Sequence, residues 1–204
     1  MKDIVQIVIL SRDRPKYLKQ TVDSVLNQKI SREKFEIIIS DNSDKDDVKE
    51  MIGQDYSNAN LKYIRRSPSV SLMKHFQLVI SECDATYAVL FHDDDIMHPN
   101  YIETMLPNIQ KKDVAAVCCN SYVFNNDISR TTGEMHNYKS VKTFTNENDF
   151  LGSYVPWSRG GIAPMPGYIY KTEFLKRVEL KRISKEDNFS DTLMLSAFTE
   201  YGSI

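Results

Sequence analysis

Glycine is scarce in this 204-residue chain: there are seven, and the first is Gly53. The turn after the first apolar run is Ser11-Arg12-Asp13-Arg14-Pro15, with none. A GxGxxG fingerprint or a P-loop needs glycines at that turn, so that backbone can approach a diphosphate. Both are excluded, and a bound nucleotide must have its phosphates neutralised in another way. Cysteine is rarer still. Cys83, Cys118 and Cys119 form an odd set with an adjacent pair and no CxxC. That excludes zinc fingers and thioredoxin-like motifs, argues against a disulfide framework and fits a reducing cytoplasm. No apolar run reaches 18 residues, so no transmembrane helix is expected. The N-terminal MKDIVQIVIL carries Asp3, with Arg12, Asp13 and Arg14 close behind, and reads as a first strand rather than a signal peptide. A basic excess is also missing: 26 Lys plus Arg face 28 Asp plus Glu, net −2, which argues against a nucleic-acid partner.

What is present fits a soluble globular protein, 41% hydrophobic and 26% charged. The length suits one domain. A chain of this size buries roughly 70% of its unfolded surface and needs no disulfide or metal to hold a core.

Ile4 to Leu10 is a nearly unbroken apolar run and reads as a strand buried on both faces. Pro15 stands at a first helical position, with Leu18, Val22, Val25 and Leu26 at helical spacing. Phe35 to Ile39 is a second buried strand, ended by SDNSDKDD, a turn and helix start. Leu61 to Ile64 is a short third strand, and Leu72, Phe76, Val79 and Ile80 mark a helix. Tyr87 to Phe91 is a fourth strand, ended by HDDD. Pro99 opens a helix with Ile102, Met105, Leu106 and Ile109 on one face, and Val114 to Val123 is a fifth strand. Asn125 to Asn148 is polar and reads as a hairpin or an insertion. Tyr168 to Tyr170 is a short strand, and Asp191 to Tyr201 a helix. Strands alternating with helices predict an α/β fold: a mostly parallel central sheet with helices on both faces. Ligands of such sheets bind beyond the carboxyl ends of the strands. Three loops are thereby singled out: Ser11 to Arg14, Asp41 to Asp44, and His92 to Asp95.

Asp93, Asp94 and Asp95 follow the fourth strand directly. Three adjacent carboxylates repel one another unless a cation or solvent relieves them. Mg²⁺ or Mn²⁺ is usually held by one or two carboxylates, with a substrate diphosphate supplying further oxygens. Such a cation would provide the neutralisation that the glycines do not. The alternative is a solvated acidic loop capping the following helix. His92 and His98 flank the triplet, as further ligands or, more simply, as solvent-facing loop histidines. Asp41, with Asn42, can accept hydrogen bonds from a uracil imide or a ribose, or form an Asx turn before the next helix. Arg12 and Arg14 sit where a nucleotide phosphate or base would lie, or are solvated loop arginines. Asp191 begins a helix, where an anion caps the dipole or serves as a general base. Trp157, beside Gly160 and Gly161, can stack on a sugar ring or simply be a buried ring in a rigid loop.

Five segments in order resemble the family 2 glycosyltransferases of the GT-A fold. QIVILSRDRPKYLKQTVDSVLNQ looks like that family's opening strand, loop and helix, and FEIIISDNSDKDD like its second strand and acidic turn. ATYAVLFHDDDIMHPNYIETM looks like its DxD region. GIAPMPGYIYKTEFL resembles its acceptor-side strand and helix, and FSDTLMLSAFTEYG the helix carrying its Glu-Asp motif.

The resemblance implies a single GT-A domain over 1–204. A Rossmann-like nucleotide-sugar-binding half would span 1–110, and an acceptor-side half 111–204. It implies that Ser11, Arg12 and Arg14 line the nucleotide pocket, and that Asp41, with Asn42, contacts uracil or ribose. Asp93 to Asp95 take the DxD position and hold the donor and a Mn²⁺ or Mg²⁺. Aligned on the downstream proline, the motif's second and third carboxylates fall on Asp94 and Asp95, and His92 replaces its first. Aligned as DxD directly, Asp93 and Asp95 are the pair; Asp95 is the metal ligand either way. Asp191 falls on the motif aspartate, the general base, and Trp157, Gly160 and Gly161 on the acceptor side. Ser190 stands where the family usually has glutamate, and Arg12 where an aromatic is common. Family members usually continue past the point corresponding to Ile204, so the acceptor half is expected to be cut short.

The implied activity is inverting transfer of a sugar from a nucleotide-diphosphate donor, UDP-sugar by default, to a hydroxyl. The implied acceptor is a saccharide or lipid-linked saccharide in bacterial surface-polysaccharide synthesis. The implied location is the cytoplasm, at the inner face of the plasma membrane by peripheral association, although no basic amphipathic helix supports that contact directly. Two other functions fit parts of the pattern: a nucleotidyltransferase, whose usual glycine-rich first loop is missing, and a nucleotide-sugar-binding domain without turnover.

Overall fold

The computed structural model describes residues 4–125, 128–136, 139–153, 165–178 and 190–204, with nothing to be said of the side chains at 190 and 191. In chain order the elements are β1 (Val5–Ser11), α1 (Pro15–Leu26), β2 (Phe35–Asp41), α2 (Asp47–Asp55), β3 (Lys62–Arg65), α3 (Leu72–Glu82), β4 (Tyr87–His92) and α4 (Tyr101–Ile109). There follow β5 (Ala116–Cys118), β6 (Tyr122–Phe124), β7 (Thr131–Glu134), α5 (Glu147–Ser153), β8 (Tyr168–Lys171), α6 (Thr172–Arg177) and α7 (Ser190–Ser196). Six strands form one sheet in the order β3-β2-β1-β4-β8-β5. β3, β2, β1 and β4 are parallel, and β8 runs antiparallel to both its neighbours. This is the mostly parallel α/β sheet that the alternating pattern predicts. The chain order reverses at β1, with β2 on one side and β4 on the other. The crevice of such a sheet opens beyond those strand ends.

Every residue of β1 is buried, because helices cover both sheet faces. Val5, Ile7 and Ile9 pack with Leu18, Val22 and Val25 of α1, Val48 and Ile52 of α2, and Ile102 and Ile109 of α4. The alternate side chains, Val8 and Leu10, join Val79 and Ile80 of α3, Leu175 of α6, and Met194 and Leu195 of α7. The period of two in the strands thus meets two separate sets of helical stripes.

The boundaries differ from expectation in three places. The predicted strand Val114–Val123 is two elements, β5 in the main sheet and β6 in a separate hairpin with β7. Asn120 makes the break: its amide donates to the His136 carbonyl at 2.7 Å and accepts from the His136 N–H at 3.1 Å, replacing sheet bonds with side-chain ones. The polar stretch after residue 124 accordingly contributes the return strand of that hairpin. α4 starts at Tyr101, two residues after Pro99, whose carbonyl is held by the Lys29 N–H at 2.8 Å. The predicted helix Asp191–Tyr201 is α-helical only to Ser196 and continues as a 3₁₀ turn over Ala197–Glu200. The Ser196 hydroxyl reaches the carbonyl of Leu193 and the carboxylate of Glu147 where the change occurs. Phe198 then stacks on Tyr170 of β8 at 5.0 Å and ties this segment to the sheet.

Candidate functional site

The loops that leave β1 and β2 are latched together at the carboxyl edge of the sheet. Asp13 has φ of 54°, a left-handed conformation that aspartate tolerates better than most side chains. In that conformation its N–H donates to the Ser43 hydroxyl at 2.7 Å, and its carboxylate accepts from the Asp44 N–H at 3.0 Å. Arg12 pairs with Asp44 at 3.1 Å, and the Asn42 N–H donates to the Ser11 carbonyl at 2.8 Å. The Asn42 side chain is spent on backbone: it donates to the Val70 carbonyl at 2.9 Å and accepts from the Val70 N–H at 2.8 Å.

Asp41 ends β2 fully buried. One oxygen accepts from the Ser43 N–H at 2.9 Å, the Asx turn that its position suggested. The other accepts from the Tyr63 hydroxyl and from Arg65 at 2.9 Å. Burial and the hydrogen bond to Asp41 push the Tyr63 phenol up to about 12. Tyr63 and Arg65 were not singled out from the sequence. The signal was available: Arg65 closes the third parallel strand as Asp41 closes the second, and the carboxyl-end rule applies to both.

The acidic triplet is held from below by α1. Thr21 and Ser24, three positions apart on α1, and Gln28, just past its end, anchor the loop backbone. Thr21 donates to the Asp95 carbonyl at 2.8 Å, Ser24 accepts from the Met97 N–H at 3.0 Å, and Gln28 donates to the His98 carbonyl at 2.7 Å. The three carboxylates then have different surroundings. Asp93 is fully buried and accepts from the Arg12 N–H at 3.1 Å. Burial pushes its carboxyl above the usual aspartate range, opposed by Ser11, the Arg14 charge and that amide. Arg14 bridges the first two, pairing with Asp93 and, at 2.6 Å, with Asp94. One guanidinium thereby relieves the like-charge repulsion expected of adjacent aspartates.

His92, Asp94 and Asp95 each present one donor atom, all within 4.8 Å of one another. Donors on one small divalent cation lie within about 4.4 Å, twice a bond of ~2.2 Å. All three side chains are partly exposed and free to close by that margin, so the donor set fits a divalent cation. Asp93 is not among these donors. The converging carboxylates are those of the proline-aligned register. His98 turns elsewhere, its ring accepting from the Asn100 N–H at 3.2 Å.

A cleft of about 880 Å³ opens beside the acidic turn, between the start of α4 and the β6–β7 hairpin. Asp94, Asp95 and Arg14 form one wall, and Tyr17, Met105 and Tyr122 contribute apolar surface. Its size and mixed lining suit a small-molecule ligand. Asp191 is the second residue of α7, and its side chain lies outside the description. Trp157, Gly160 and Gly161 lie outside the described residues altogether. Ser11, Arg12, Arg14, Asp41, Asn42 and the triplet are therefore the predicted site residues that the structure brings together.

Residues 6–169 match the family described as glycosyl transferase family 2. Among curated proteins, the abequosyltransferase RfbV of Salmonella typhimurium is 31% identical over 96 residues, 46% of this chain and 29% of that one. Among solved structures, S. aureus TarS 1-349 in complex with UDP-GlcNAc superposes with a TM-score of 0.66 at 16% identity, covering 96% of this chain and 53% of that one. The mannosyltransferase PcManGT of Pyrobaculum calidifontis, in complex with GDP-Man and Mn²⁺, gives 0.59 at 14% identity over 85% of this chain and 46% of that one. The chain thus spans about half the length of these structures and less than a third of RfbV.

Proposed function

This chain belongs to glycosyl transferase family 2, and from that premise we propose that it moves a sugar from a nucleotide-diphosphate donor to an acceptor hydroxyl with inversion. The proposed donor is a UDP-sugar. The proposed acceptor is a saccharide or lipid-linked saccharide of a surface polysaccharide. The observation that carries this reading is the convergence of buried Asp41, Arg14 and the His92–Asp94–Asp95 donors at the strand ends where the sheet order reverses. That is where a doubly wound sheet takes a nucleotide. The relatives' ligands, UDP-GlcNAc in one and GDP-Man with Mn²⁺ in the other, support a nucleotide sugar and a divalent cation.

In this proposal residues 1–110 bind the nucleotide sugar and 111–204 face the acceptor. Asp41 receives the base or ribose. Asn42 shapes that pocket by clipping the loop at Val70, before α3, rather than by touching the ligand. Ser11, Arg12 and Arg14 line the phosphate side. When bound, a Mn²⁺ or Mg²⁺ held by Asp95 and Asp94 supplies Lewis-acid charge for the departing diphosphate. Asp191 takes the acceptor's hydroxyl proton as general base. The freed oxygen bonds to the anomeric carbon from the face opposite the diphosphate, and the bond to the diphosphate breaks. Trp157, Gly160 and Gly161 are assigned to the acceptor side. A lipid-linked acceptor would bring the protein to the inner face of the membrane. No helix among the described residues is long and apolar enough to cross one.

The test is release of UDP from UDP-sugars under multiple turnover, in the wild type and in Asp191→Asn. The expected result is turnover in the wild type, with unchanged UDP affinity and no turnover in the variant. Full turnover in Asp191→Asn would remove the base from the mechanism.

A further inference from the structure

The residue that departs from the family's carboxylate pattern lies within the donor group. We infer that His92 is a metal ligand, and that this chain's cation site is a mixed nitrogen-and-oxygen set that favours Mn²⁺ and its transition-metal neighbours over Mg²⁺. The inference rests on the proposed function, since it concerns the cation of that same site. His92 is the last residue of β4, and its backbone is fixed by pairing with Leu10 of β1. Its Nδ1 faces Asp95 Oδ2 at 3.7 Å across one turn, and Asp94 completes a group within 4.8 Å. A separation of 3.7 Å is too long for a direct hydrogen bond, short enough for an ion pair when the histidine is charged, and compatible with two donors that share an ion.

The other flanking carboxylate and histidine are committed elsewhere. Asp93 is buried against Arg12 and Arg14, and His98 accepts from Asn100. Asp94 alone is shared, held at 2.6 Å by Arg14 and exposed enough to exchange that partner. Two oxygens and one imidazole nitrogen therefore converge. Hard Mg²⁺ prefers oxygen and water and accepts imidazole poorly, whereas Mn²⁺, Co²⁺ and Ni²⁺ accept it increasingly well. A carboxylate at this position would give an all-oxygen site with less of that preference.

The test is pulsed electron paramagnetic resonance of Mn²⁺ bound to the full chain with UDP, which detects a coordinated imidazole nitrogen without any turnover. The expected result is nitrogen modulation in the wild type and in His98→Asn, and its loss in His92→Asp, which still retains Mn²⁺. In competition on the UDP-loaded protein, the Mn²⁺-over-Mg²⁺ preference should fall about tenfold in His92→Asp. Bound Mn²⁺ with no nitrogen modulation in the wild type would overturn the inference and leave the proposed function standing. No Mn²⁺ retained by the wild type with UDP would overturn both.

Discussion

Arg14, the residue that caps α1, forms an ion pair with Asp93 at the end of β4, a fully buried carboxylate facing a half-exposed guanidinium. Burial raises the Asp93 pKa, and the Arg14 charge opposes that rise. Removing the arginine leaves a buried carboxylate that keeps the Arg12 amide as a donor and loses its cation. Arg14→Ala should cost about 1–3 kcal/mol at pH 7. A carboxylate whose folded pKa is raised is relieved of its burial penalty by protonation. The deficit should therefore shrink as pH falls through the folded-state pKa of Asp93. Urea unfolding of wild type and variant at pH 7 and pH 4.5 checks this; equal deficits at both would contradict it.

One residue before Asp41, the Ser40 hydroxyl accepts from Arg66 at 3.0 and 3.1 Å and meets His75 Nε2 at 2.8 Å. With its lone pairs engaged by Arg66, the hydroxyl donates to His75, which must accept and so stays neutral. Burial, then the Arg66 charge, push His75 down to about 4. A histidine depressed in the folded state contributes stability above its unfolded pKa of about 6.5 that is lost as pH falls toward the folded value. That loss amounts to about 2 kcal/mol between pH 7 and pH 5. His75→Asn should flatten this part of the stability profile, measured as urea midpoints; parallel profiles would show that His75 does not titrate across folding.

Asp41 is held by Tyr63, Arg65 and the Ser43 amide, so its orientation depends on donors around both oxygens. Asp41→Asn keeps the shape but turns an NH₂ toward one of them. The expected stability cost is about 1–3 kcal/mol, with UDP affinity falling by about tenfold or more. Tyr63→Phe removes one donor only and should weaken UDP binding less. Calorimetric titration of UDP on both variants decides; unchanged affinity in Asp41→Asn would remove Asp41 from the nucleotide site.

Gly202 lies against the strand edge at Asp113, where a Cβ would stand 2.9 Å from the Asp113 carbonyl oxygen and 3.1 Å from the Ala115 nitrogen. The neighbouring Ser203 pairs with Asp113 and Ala115 through backbone bonds of 2.8 Å, so neither side yields easily. Gly202→Ala should destabilise by about 1–3 kcal/mol. Thermal melting checks the direction; an unchanged melting temperature would mean that this segment is not held to the sheet edge.

The main sheet was legible because the apolar runs ending at Leu10, Ile39 and Phe91 are strands covered on both faces, a pattern that few other structures share. The helical stripes through Val22 and Ile102 were equally plain. The acidic turn and Asp41 were legible because a strand end followed by carboxylates has a known place in such a sheet. Less legible were features made by side chains acting on distant backbone. Asn120 splits the predicted strand Val114–Val123 into β5 and β6 by bonding His136, and Asn42 reaches Val70, 28 positions away. No local periodicity carries such contacts. Nor could the sequence tell which of three identical aspartates is buried; the contacts of the buried one, Asp93, with Arg12 and Arg14 join positions 81 and 79 apart.

The proposed function requires the strand-end carboxylates to hold a nucleotide diphosphate through a cation. The most direct measurement is calorimetric titration of UDP into the chain with Mn²⁺ and with EDTA, in wild type and Asp95→Ala. The expected result is binding by the wild type with Mn²⁺, its loss with EDTA, and its loss in the variant under both conditions. UDP affinity that is the same with EDTA as with Mn²⁺, or no affinity in either, would contradict it.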